Sequence, residues 1–371
     1  MPETGAIAVF NGIREPFDLR EFPVPDPEPG AAVIRMRLAN VCGSDMHYWR
    51  GDTDLVARGF NLPGTLGHEG TGEIAKLGAG LTVDTAGQPL REGDRVVFGF
   101  FHPCLRCPNC MKGHTYACPT RQTNRMTLLD EWPYFRGTFA DYYYLFPKHA
   151  IFRVPDHLDD HLISGVNCAL SQVVSGLDRA GQTVNETVAI QGAGGLGVYA
   201  AAVAQARGAA RVIVIDGVPE RLELAKAFGA DETVDMRDFE TPEARVARVQ
   251  ELTDGLGADV TMELVGHAAV FAEGVAMTAP GGRYVEIGNV CVGHTASFDP
   301  STIVFKSITV LGVAHYRWRD LKQALDFVSH NVDKLPFDRV LSHTYPLHEI
   351  NEAFERQDEG HVTRSALAPG S

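Results

Sequence analysis

A glycine-rich turn between an apolar segment and an alanine-rich segment is the feature that most limits how this chain can fold. Its residues are Gly192, Ala193, Gly194, Gly195, Leu196 and Gly197, which match G-x-G-x-x-G with one extra glycine. The turn follows an apolar strand predicted over 188–191 and opens a helix predicted over 196–207. Gly192 permits the tight turn, Gly194 lets the backbone approach a pyrophosphate, and Gly197 lets helix and strand pack closely. Because the helix N-terminus also favours phosphate, the segment predicts a dinucleotide site.

The same alternation of strand and helix continues along the chain. Predicted strands at 211–215, 259–265 and 283–287 are interleaved with predicted helices such as 221–228. This spacing is typical of βαβ units and a parallel sheet. We therefore predict an α/β, doubly wound parallel-sheet domain of the Rossmann type over 156–312.

The residue that ends the second predicted strand bears on which dinucleotide would bind. The Asp216 carboxylate can accept hydrogen bonds from an adenosine ribose and would repel a 2′-phosphate, which favours NAD over NADP. Arg221, in the next predicted helix, could soften that preference. The alternative interpretation is a plain strand–turn–helix corner with a surface aspartate.

The first 155 residues have a different texture. Four prolines between Phe22 and Gly30 forbid helix, and the segment up to about Val154 has short strands, many glycines and few helical patterns. We predict an irregular β domain over 1–155. A tail over 313–371, with two predicted helices, is expected to return to this domain.

Four cysteines lie close together in the first half of the chain. They are Cys104, Cys107, Cys110 and Cys118, within a lobe predicted over 102–120. Short loops with this spacing can turn four thiolates toward one point, as in closed tetrahedral zinc sites. Unrelated free thiols or an iron–sulfur site are the alternatives. A complete quartet leaves no position for a substrate, so the prediction is a structural zinc.

Charge and the N-terminal sequence bear on partners and location. The chain has 33 Lys and Arg against 47 Asp and Glu, a formal net charge of −14, which argues against nucleic acid and anionic membranes as main partners. No basic segment followed by an apolar stretch opens the sequence, and no apolar run is long enough to span a membrane. Seven cysteines argue against a disulfide framework. We therefore expect a cytoplasmic protein without a membrane partner.

Three further residues, Cys42, His68 and Cys168, would each have an unremarkable interpretation if taken singly. Together with the order of the motifs they carry a resemblance. The block Cys42-Gly43-Ser44-Asp45, the block Gly67-His68-Glu69, the cysteine quartet and the glycine turn occur in the order typical of zinc-containing medium-chain alcohol dehydrogenases. The chain resembles this family over nearly its whole length. The resemblance implies a GroES-like β catalytic domain joined to the Rossmann domain.

The same resemblance assigns roles to individual residues. It implies that Cys42, His68 and Cys168 hold a catalytic zinc, with water or substrate oxygen as fourth ligand. With the quartet, two zinc ions per chain are expected and Cys291 is left over. Glu69 matches a glutamate that can approach the metal.

Proton transfer and cofactor contacts are also implied. Ser44 and His47 match a relay that carries the alcohol proton to solvent, although His47 as a plain surface histidine is the alternative. Asp45 matches a carboxylate that orients His68. Arg364 matches a basic residue that contacts cofactor phosphate, with a solvated surface arginine as the alternative. Gly43 stands where some members carry another phosphate-binding base.

A set of aromatic residues resembles the loops that wall the substrate cleft. These residues are Trp49, Phe100, Phe101, Trp132, Tyr134 and Phe135. Packing alone is an equal alternative for each. An apolar cleft would suit a bulky or cyclic alcohol, whereas Arg125 and Arg136 could instead bind an acidic substrate group.

These observations predict a zinc-dependent oxidoreductase that transfers a hydride between a primary or secondary alcohol and NAD, giving the aldehyde or ketone. A polyol or amino-alcohol dehydrogenase of the sorbitol or threonine type is an alternative, and formaldehyde-type oxidation is a weaker one. A non-catalytic NAD-binding relative is the alternative of another class. A homodimer or homotetramer is expected through a sheet edge near Ile308 to Val313.

Overall fold

In the computed structural model, which describes residues 3–57, 59–123, 128–360, 362 and 364–370, the chain forms two compact units. The first comprises Met1–Cys168, Arg317–Val332 and Phe337–Ser371, and the second comprises Ala169–Tyr316 and Asp333–Pro336. The bounds taken from the sequence place the first break at residue 155 instead, and they stay predictions.

The first unit is mainly β. Its strands are β1 (Thr4–Phe10), β2 (Asp18–Pro23), β3 (Ala32–Asn40), β4 (Gly64–Thr65), β5 (Glu69–Leu77), β6 (Arg95–Phe98), β7 (Phe101–His102), β8 (Gln122–Thr123), β9 (Tyr142–Leu145), β10 (Ile151–Arg153), β17 (His343–Pro346) and β18 (Ser365–Ala368). Its helices are α1 (Gly43–Arg50), α2 (Pro108–Met111), α3 (Asp160–Ile163), α10 (Trp318–Asn331) and α11 (Ile350–Asp358). Short 3₁₀ turns occupy Thr115–Ala117, Phe337–Arg339 and Leu347–Glu349.

A seven-stranded sheet organises this unit. Its order is β10-β6-β5-β3-β18-β17, with β9 also paired to β3. Smaller sheets run β2-β1-β4 and β7-β8. Because β17 and β18 come from the tail, the C-terminal residues complete the sheet that the first residues begin. An apolar core that includes Phe10, Phe139 and Phe354 lies under these strands, and burial of such rings stabilises the unit.

The second unit is a parallel sheet flanked by helices. Its strands are β11 (Thr187–Gln191), β12 (Arg211–Asp216), β13 (Glu232–Asp235), β14 (Ala258–Glu263), β15 (Thr278–Glu286) and β16 (Thr309–Gly312). Its helices are α4 (Ser171–Ala180), α5 (Gly195–Ala206), α6 (Pro219–Ala227), α7 (Pro242–Glu251), α8 (Val270–Met277) and α9 (Ser301–Lys306). A π-helical turn over Val166–Leu170 leads into α4.

Strand order confirms the predicted doubly wound topology. The sheet runs β13-β12-β11-β14-β15-β16 with every pair parallel. The order reverses between β11 and β14, so a crevice opens at the carboxyl ends of these two strands. Apolar residues fill β11 because both faces of the strand are covered. Among the described residues, no helix has the length and apolarity needed to cross a bilayer.

Candidate metal centres and cofactor turn

Three predicted ligands and one neighbouring glutamate converge in the first unit. One potential ligand atom from each of Cys42, His68, Glu69 and Cys168 lies within 4.8 Å of the others, and all four residues are buried. Cys42 caps the N-terminus of α1, and Cys168 lies in the π-helical turn. His68 directly precedes β5, and Glu69 is the first residue of that strand. A π-helical turn contains one more residue than an α-helical turn, and such turns often occur at functional sites. Residues far apart in sequence therefore meet at one point.

Asp45 fixes the relative positions of two of these ligands. Its Oδ2 accepts a hydrogen bond from the Cys42 amide at 3.2 Å, and its Oδ1 accepts one from the Gly67 amide at 3.3 Å. Oδ1 also lies 3.4 Å from Nδ1 of His68. A carboxylate on one ring nitrogen orients the imidazole and leaves Nε2 for a metal. The buried Asp45 therefore lies beside His68, and its role toward a metal ligand stays a prediction.

Asn167 performs a similar task for the third ligand, and nothing in the sequence reasoning identified it. Its Oδ1 accepts from the Gly70 amide and its Nδ2 donates to the His68 carbonyl, both at 3.1 Å. These bonds tie the turn that carries Cys168 to the segment that carries His68. The feature of the sequence that could have indicated Asn167 is its position directly before Cys168, a proposed ligand.

The donor set fits a zinc ion. A hydrogen bond with Cys168 and the neighbouring His68 lower the pKa of the Cys42 thiol well below its usual value, although burial opposes them. Two thiolates and one imidazole leave a fourth position open, which is the arrangement of catalytic zinc sites. The residues are therefore able to hold the metal that the resemblance implies.

Glu69 and Arg364 form a buried ion pair beside this cluster. Oε2 of Glu69 accepts a hydrogen bond from the Arg364 guanidinium and lies 3.4 Å from Nδ2 of Asn40. Burial lowers the pKa of Arg364, partly offset by Cys42 and Asp45. Arg364 thus neutralises Glu69 in this structure, and its predicted phosphate contact rests on the resemblance alone. Glu69 itself lies beside Cys42, His68 and Cys168, and its approach to a metal stays a prediction.

The predicted relay residues lie on α1. Ser44 and His47 follow Cys42 on this helix. Nδ1 of His47 lies 2.7 Å from Oδ2 of Asp52, and the amide of Asp52 donates to the His47 carbonyl at 3.0 Å. His47 is partly exposed. Asp52 is a second residue that the sequence reasoning missed, since nothing in its spacing marks it.

The cysteine quartet forms a second centre. Sγ of Cys118 lies 3.6 Å from Sγ of Cys104 and 3.9 Å from Sγ of Cys107, and all four sulfurs lie within 4.8 Å of one another. Tetrahedral Zn–S bonds of about 2.3 Å place sulfurs about 3.8 Å apart. Amides of Cys107 and Cys110 donate to quartet sulfurs at 3.3 and 3.5 Å. The lobe fits one closed zinc site.

Two of these thiols titrate far from the usual range. Hydrogen bonds from Thr120 and from the amide of Arg106 lower the pKa of Cys104 to about 5. Burial and the neighbouring thiols raise the pKa of Cys110 to about 12. Metal binding must therefore displace a proton from Cys110, whereas Cys104 is available as thiolate.

The glycine turn leads from β11 into α5. Gly194 caps α5, and a Cβ there would meet no atom within 4 Å. A Cβ on Gly197 would lie 1.9 Å from the Gly192 carbonyl oxygen. Gly192 has φ +95°, a left-handed conformation that favours glycine. Leu196 and Gly195 lie in the first turn of α5.

Asp216 supports this turn from the neighbouring strand. Its Oδ2 accepts from the Ala193 amide at 2.7 Å and its Oδ1 from the Val218 amide at 2.8 Å. Each oxygen keeps a second lone pair, so the predicted ribose contact stays chemically available. Arg221 lies near the start of α6 and is partly buried.

The structure separates the aromatic residues into two groups. Phe100 packs edge-on against His68 with 5.1 Å between ring centroids, and Phe101 packs on Phe100 at 5.2 Å. Trp49 belongs to the core around Phe354. Phe135, Tyr134 and Trp132 pack on other aromatic residues, which are Tyr142, Phe22 and Tyr144.

The contact with His68 therefore supports a place for Phe100 in the substrate pocket. For Trp49, Trp132, Tyr134 and Phe135, a place in the pocket rests on the resemblance. The buried Arg136 donates to the Trp132 carbonyl, and its guanidinium lies over the Phe146 ring. Arg125 lies outside the described residues.

Comparisons with known proteins agree with this architecture. The alcohol dehydrogenase GroES-like domain matches residues 28–156, and the zinc-binding dehydrogenase domain matches residues 195–330. The chain is 34% identical over 360 residues to a 5-exo-hydroxycamphor dehydrogenase of Pseudomonas putida, covering 94% of each. It is 30% identical over 357 residues to an L-threonine 3-dehydrogenase of Bacillus subtilis, covering 95% and 94% respectively.

A solved alcohol dehydrogenase of Thermotoga maritima superposes with a TM-score of 0.91 at 28% identity, covering 99% of this chain and 100% of that one. The chain belongs to the zinc-containing medium-chain alcohol dehydrogenase family. It is an oxidoreductase of the class that uses zinc and a nicotinamide cofactor, and the predicted GroES-like and Rossmann architecture is confirmed.

Proposed function

We propose that this protein oxidises a bulky or cyclic alcohol, with NAD as hydride acceptor, to the corresponding carbonyl compound. The proposal rests on one observation: the potential ligand atoms of Cys42, His68 and Cys168 lie within 4.8 Å of one another in a buried site. Asp45 lies beside Nδ1 of the His68 imidazole. When bound there, zinc supplies a Lewis acid that favours loss of the alcohol proton. Cys42, His68 and Cys168 would hold the ion. Asp45 holds Cys42 and His68 in place, and Asn167 ties the turn that carries Cys168 to His68.

Ser44 and His47 take up the proton in this proposal. Ser44 accepts it at its hydroxyl, and His47 releases it to solvent because its ring is partly exposed. Asp52 keeps the ring oriented through Nδ1. A positioned acid–base group of this kind contributes about 10²-fold or more to the rate.

Preference for NAD rests on Asp216. A carboxylate at the end of β12 repels the 2′-phosphate of NADP and accepts hydrogen bonds from the ribose of NAD. Two zinc ions per chain are proposed from the two clusters. We also propose a homodimer or homotetramer, since β16 is an edge strand of its sheet.

Two observations support the proposed substrate class, namely the names of relatives and an apolar residue beside the candidate metal site. One relative, at 34% identity, is named a 5-exo-hydroxycamphor dehydrogenase, and hydroxycamphor is a cyclic alcohol. Phe100 also packs on His68. An amino alcohol is the second candidate, since a relative at 30% identity is named a threonine dehydrogenase. Apolar contact favours the first, because charged amino-acid groups lose hydration in an apolar site.

Absorbance of NADH tests this proposal. Wild-type protein is given NAD, then NADP, with cyclic terpenoid, aromatic, short aliphatic, polyol and amino alcohols. Cys42→Ala and the matched control Cys291→Ala, which changes the cysteine outside both clusters, are measured alongside. We expect turnover of cyclic alcohols with NAD by wild type and by Cys291→Ala, and none by Cys42→Ala. Turnover of threonine alone would favour the second candidate, and equal turnover by Cys42→Ala would refute the metal-dependent mechanism.

A further inference from the structure

A pair of glutamates lies at the carboxyl ends of β14 and β15. Glu263 ends β14, Glu286 ends β15, and the two are in-register neighbours across the parallel strands. Glu263 is fully buried. Burial and contact with Glu286 raise the pKa of Glu263 to about 8. At neutral pH the pair therefore retains a proton, because two adjacent carboxylates, one fully buried and one partly buried, cannot both ionise cheaply.

The side chain of Glu263 ties together the loops that follow the two strands. Its Oε1 accepts hydrogen bonds from the amides of Val265 at 2.7 Å and Gly266 at 2.6 Å. Its Oε2 accepts one from the amide of Asn289 at 3.1 Å. Val265 and Gly266 follow β14, whereas Asn289 follows β15. One buried carboxyl group thus fixes three backbone amides on two loops.

Two further contacts tighten this connection. The Glu263 carbonyl accepts from the amides of Ile287 and Gly288, and Nδ2 of Asn289 donates to Oε1 of Glu286 at 2.7 Å. A Cβ on Gly288 would lie 2.5 Å from the Gly266 amide nitrogen, so the two loops touch. Their shape depends on the carboxyl pair between them.

Sheet topology places these loops relative to a bound dinucleotide. The glycine turn that faces the pyrophosphate follows β11, and Asp216, the ribose partner, ends β12 on one side of it. A dinucleotide that crosses the crevice must extend to the other side, over the ends of β14 and β15. Val265 lies there, against Gly192, with 48% of its surface exposed.

We propose that Glu263, paired with Glu286, is a positioning residue for the nicotinamide half of the cofactor, acting through the loops 264–266 and 287–289. The proposal rests on the proposed function for the identity of the cofactor. A nicotinamide carboxamide needs backbone donors and acceptors at fixed positions, which these clamped loops provide. The adenosine half binds on the Asp216 side and does not depend on the pair.

In the part of the chain that the structure describes, few other ionisable groups lie near Glu263 and Glu286. Tyr284 lies on the same strand as Glu286, and its pKa is raised by burial and by both glutamates. Glu273 of α8 lies nearby, and Arg245 of α7 neutralises it through two hydrogen bonds of 2.8 Å. The retained proton is therefore governed by the two glutamates themselves.

The test compares affinities for NADH and for ADP-ribose, which lacks the nicotinamide ring. Both are measured at pH 7 by fluorescence or calorimetric titration on the full-length, zinc-loaded protein. The variants are Glu263→Gln and Glu286→Gln, with Glu251→Gln, an exposed carboxyl on α7, as matched control. In Glu263→Gln, the side-chain NH₂ group faces a backbone N–H group, and two donors cannot form a hydrogen bond. We therefore expect the affinity for NADH to fall about tenfold. ADP-ribose affinity should change less than about twofold.

Wild type provides a second measurement that needs no variant. Raising the pH above about 8 removes the shared proton, so NADH affinity should fall while ADP-ribose affinity holds, and Glu286→Gln should suppress this change. Equal losses for both ligands, or no loss for NADH in either variant, would overturn the proposal while leaving the cofactor assignment intact. Wild type that binds neither ligand would overturn both.

Discussion

At the scale of single residues, the contacts of Asp45 explain why the candidate ligands Cys42 and His68 lie together. Its buried carboxylate accepts hydrogen bonds from the backbone amides of Cys42 and Gly67, and it lies beside the imidazole of His68. Two of the three ligands, Cys42 and His68, are thereby oriented by one side chain. Groups behind the ligands set metal affinity in this way, because they fix ring orientation and ligand basicity.

We predict that Asp45→Asn weakens zinc binding at the Cys42 cluster by about 10- to 100-fold. The amide cannot orient His68 as a carboxylate does, and one of its ends must face a backbone N–H. Competition with a zinc chelator measures the change. Asp54→Asn, at an exposed aspartate, should bind zinc as wild type does; unchanged affinity in Asp45→Asn would contradict the role of this carboxylate.

We predict that His47→Gln slows alcohol oxidation at pH 7 by about tenfold or more, because proton release loses its acceptor. The deficit should shrink as the pH rises, since hydroxide can then take the proton. Steady-state rates from pH 6 to 10 measure it, with His348→Gln, at an exposed histidine, as control. A deficit that is constant with pH would mean that His47 does not carry the proton.

At the scale of elements, two glycines in the turn between β11 and α5 have different roles, one in helix packing and one in cofactor binding. Gly197 has no room for a Cβ, whereas Gly194 has open space. We predict that Gly197→Ala lowers the free energy of unfolding by about 1–3 kcal/mol, because the helix must move off the strand. Thermal unfolding measures this effect, and a wild-type midpoint for Gly197→Ala would contradict it.

Gly194→Ala is the matched variant. It should keep the stability of the wild type while weakening NADH binding, because the new methyl group occupies the approach of the pyrophosphate. Titration with NADH and thermal unfolding of the same sample distinguish these effects. Loss of stability without loss of binding would reverse the assignment of the two glycines.

The carboxyl pair between β14 and β15 gives the second unit a characteristic pH dependence. Folding raises the pKa of Glu263 from 4.5 to about 8, so between these values the folded chain keeps a proton that the unfolded chain has released. We predict that this group's contribution to stability is complete below pH 4.5 and declines by up to about 1.4 kcal/mol per pH unit as the pH rises toward 8. Unfolding of wild type and of Glu286→Gln over this window measures it, and identical slopes would contradict it.

Elements that depend on local pattern were predictable from the sequence. The helix expected over 196–207 is Gly195–Ala206, and the strand expected over 211–215 is Arg211–Asp216, because apolar periodicity and glycine turns are encoded locally. The connection of Cys42, His68 and Cys168 was not encoded locally. It came from a resemblance, since residues on a helix cap, in the segment before a strand and in a π-helical turn meet only through tertiary packing.

At the scale of the whole molecule, the contacts that sequence reasoning missed are those between distant segments. Asn167 binds backbone near His68, and Arg364 reaches Glu69 across most of the chain. Arg364 was expected at a cofactor phosphate, but in the structure its guanidinium lies on a buried carboxylate. Long-range pairing of this kind depends on the tail strand β18, which joins β3 in the large sheet.

Two separate zinc centres, of which only the one at Cys42 carries the chemistry, are the central feature proposed for this molecule. The most direct measurement is the zinc content of wild type, Cys42→Ala and Cys107→Ala, each assayed for NADH formation in the same preparation. We predict two zinc ions per chain in wild type, and one in Cys42→Ala with no NADH formation. Cys107→Ala should also hold one zinc ion, keep measurable activity and unfold at a lower temperature. Full activity in a Cys42→Ala preparation that holds one zinc ion would contradict the central claim.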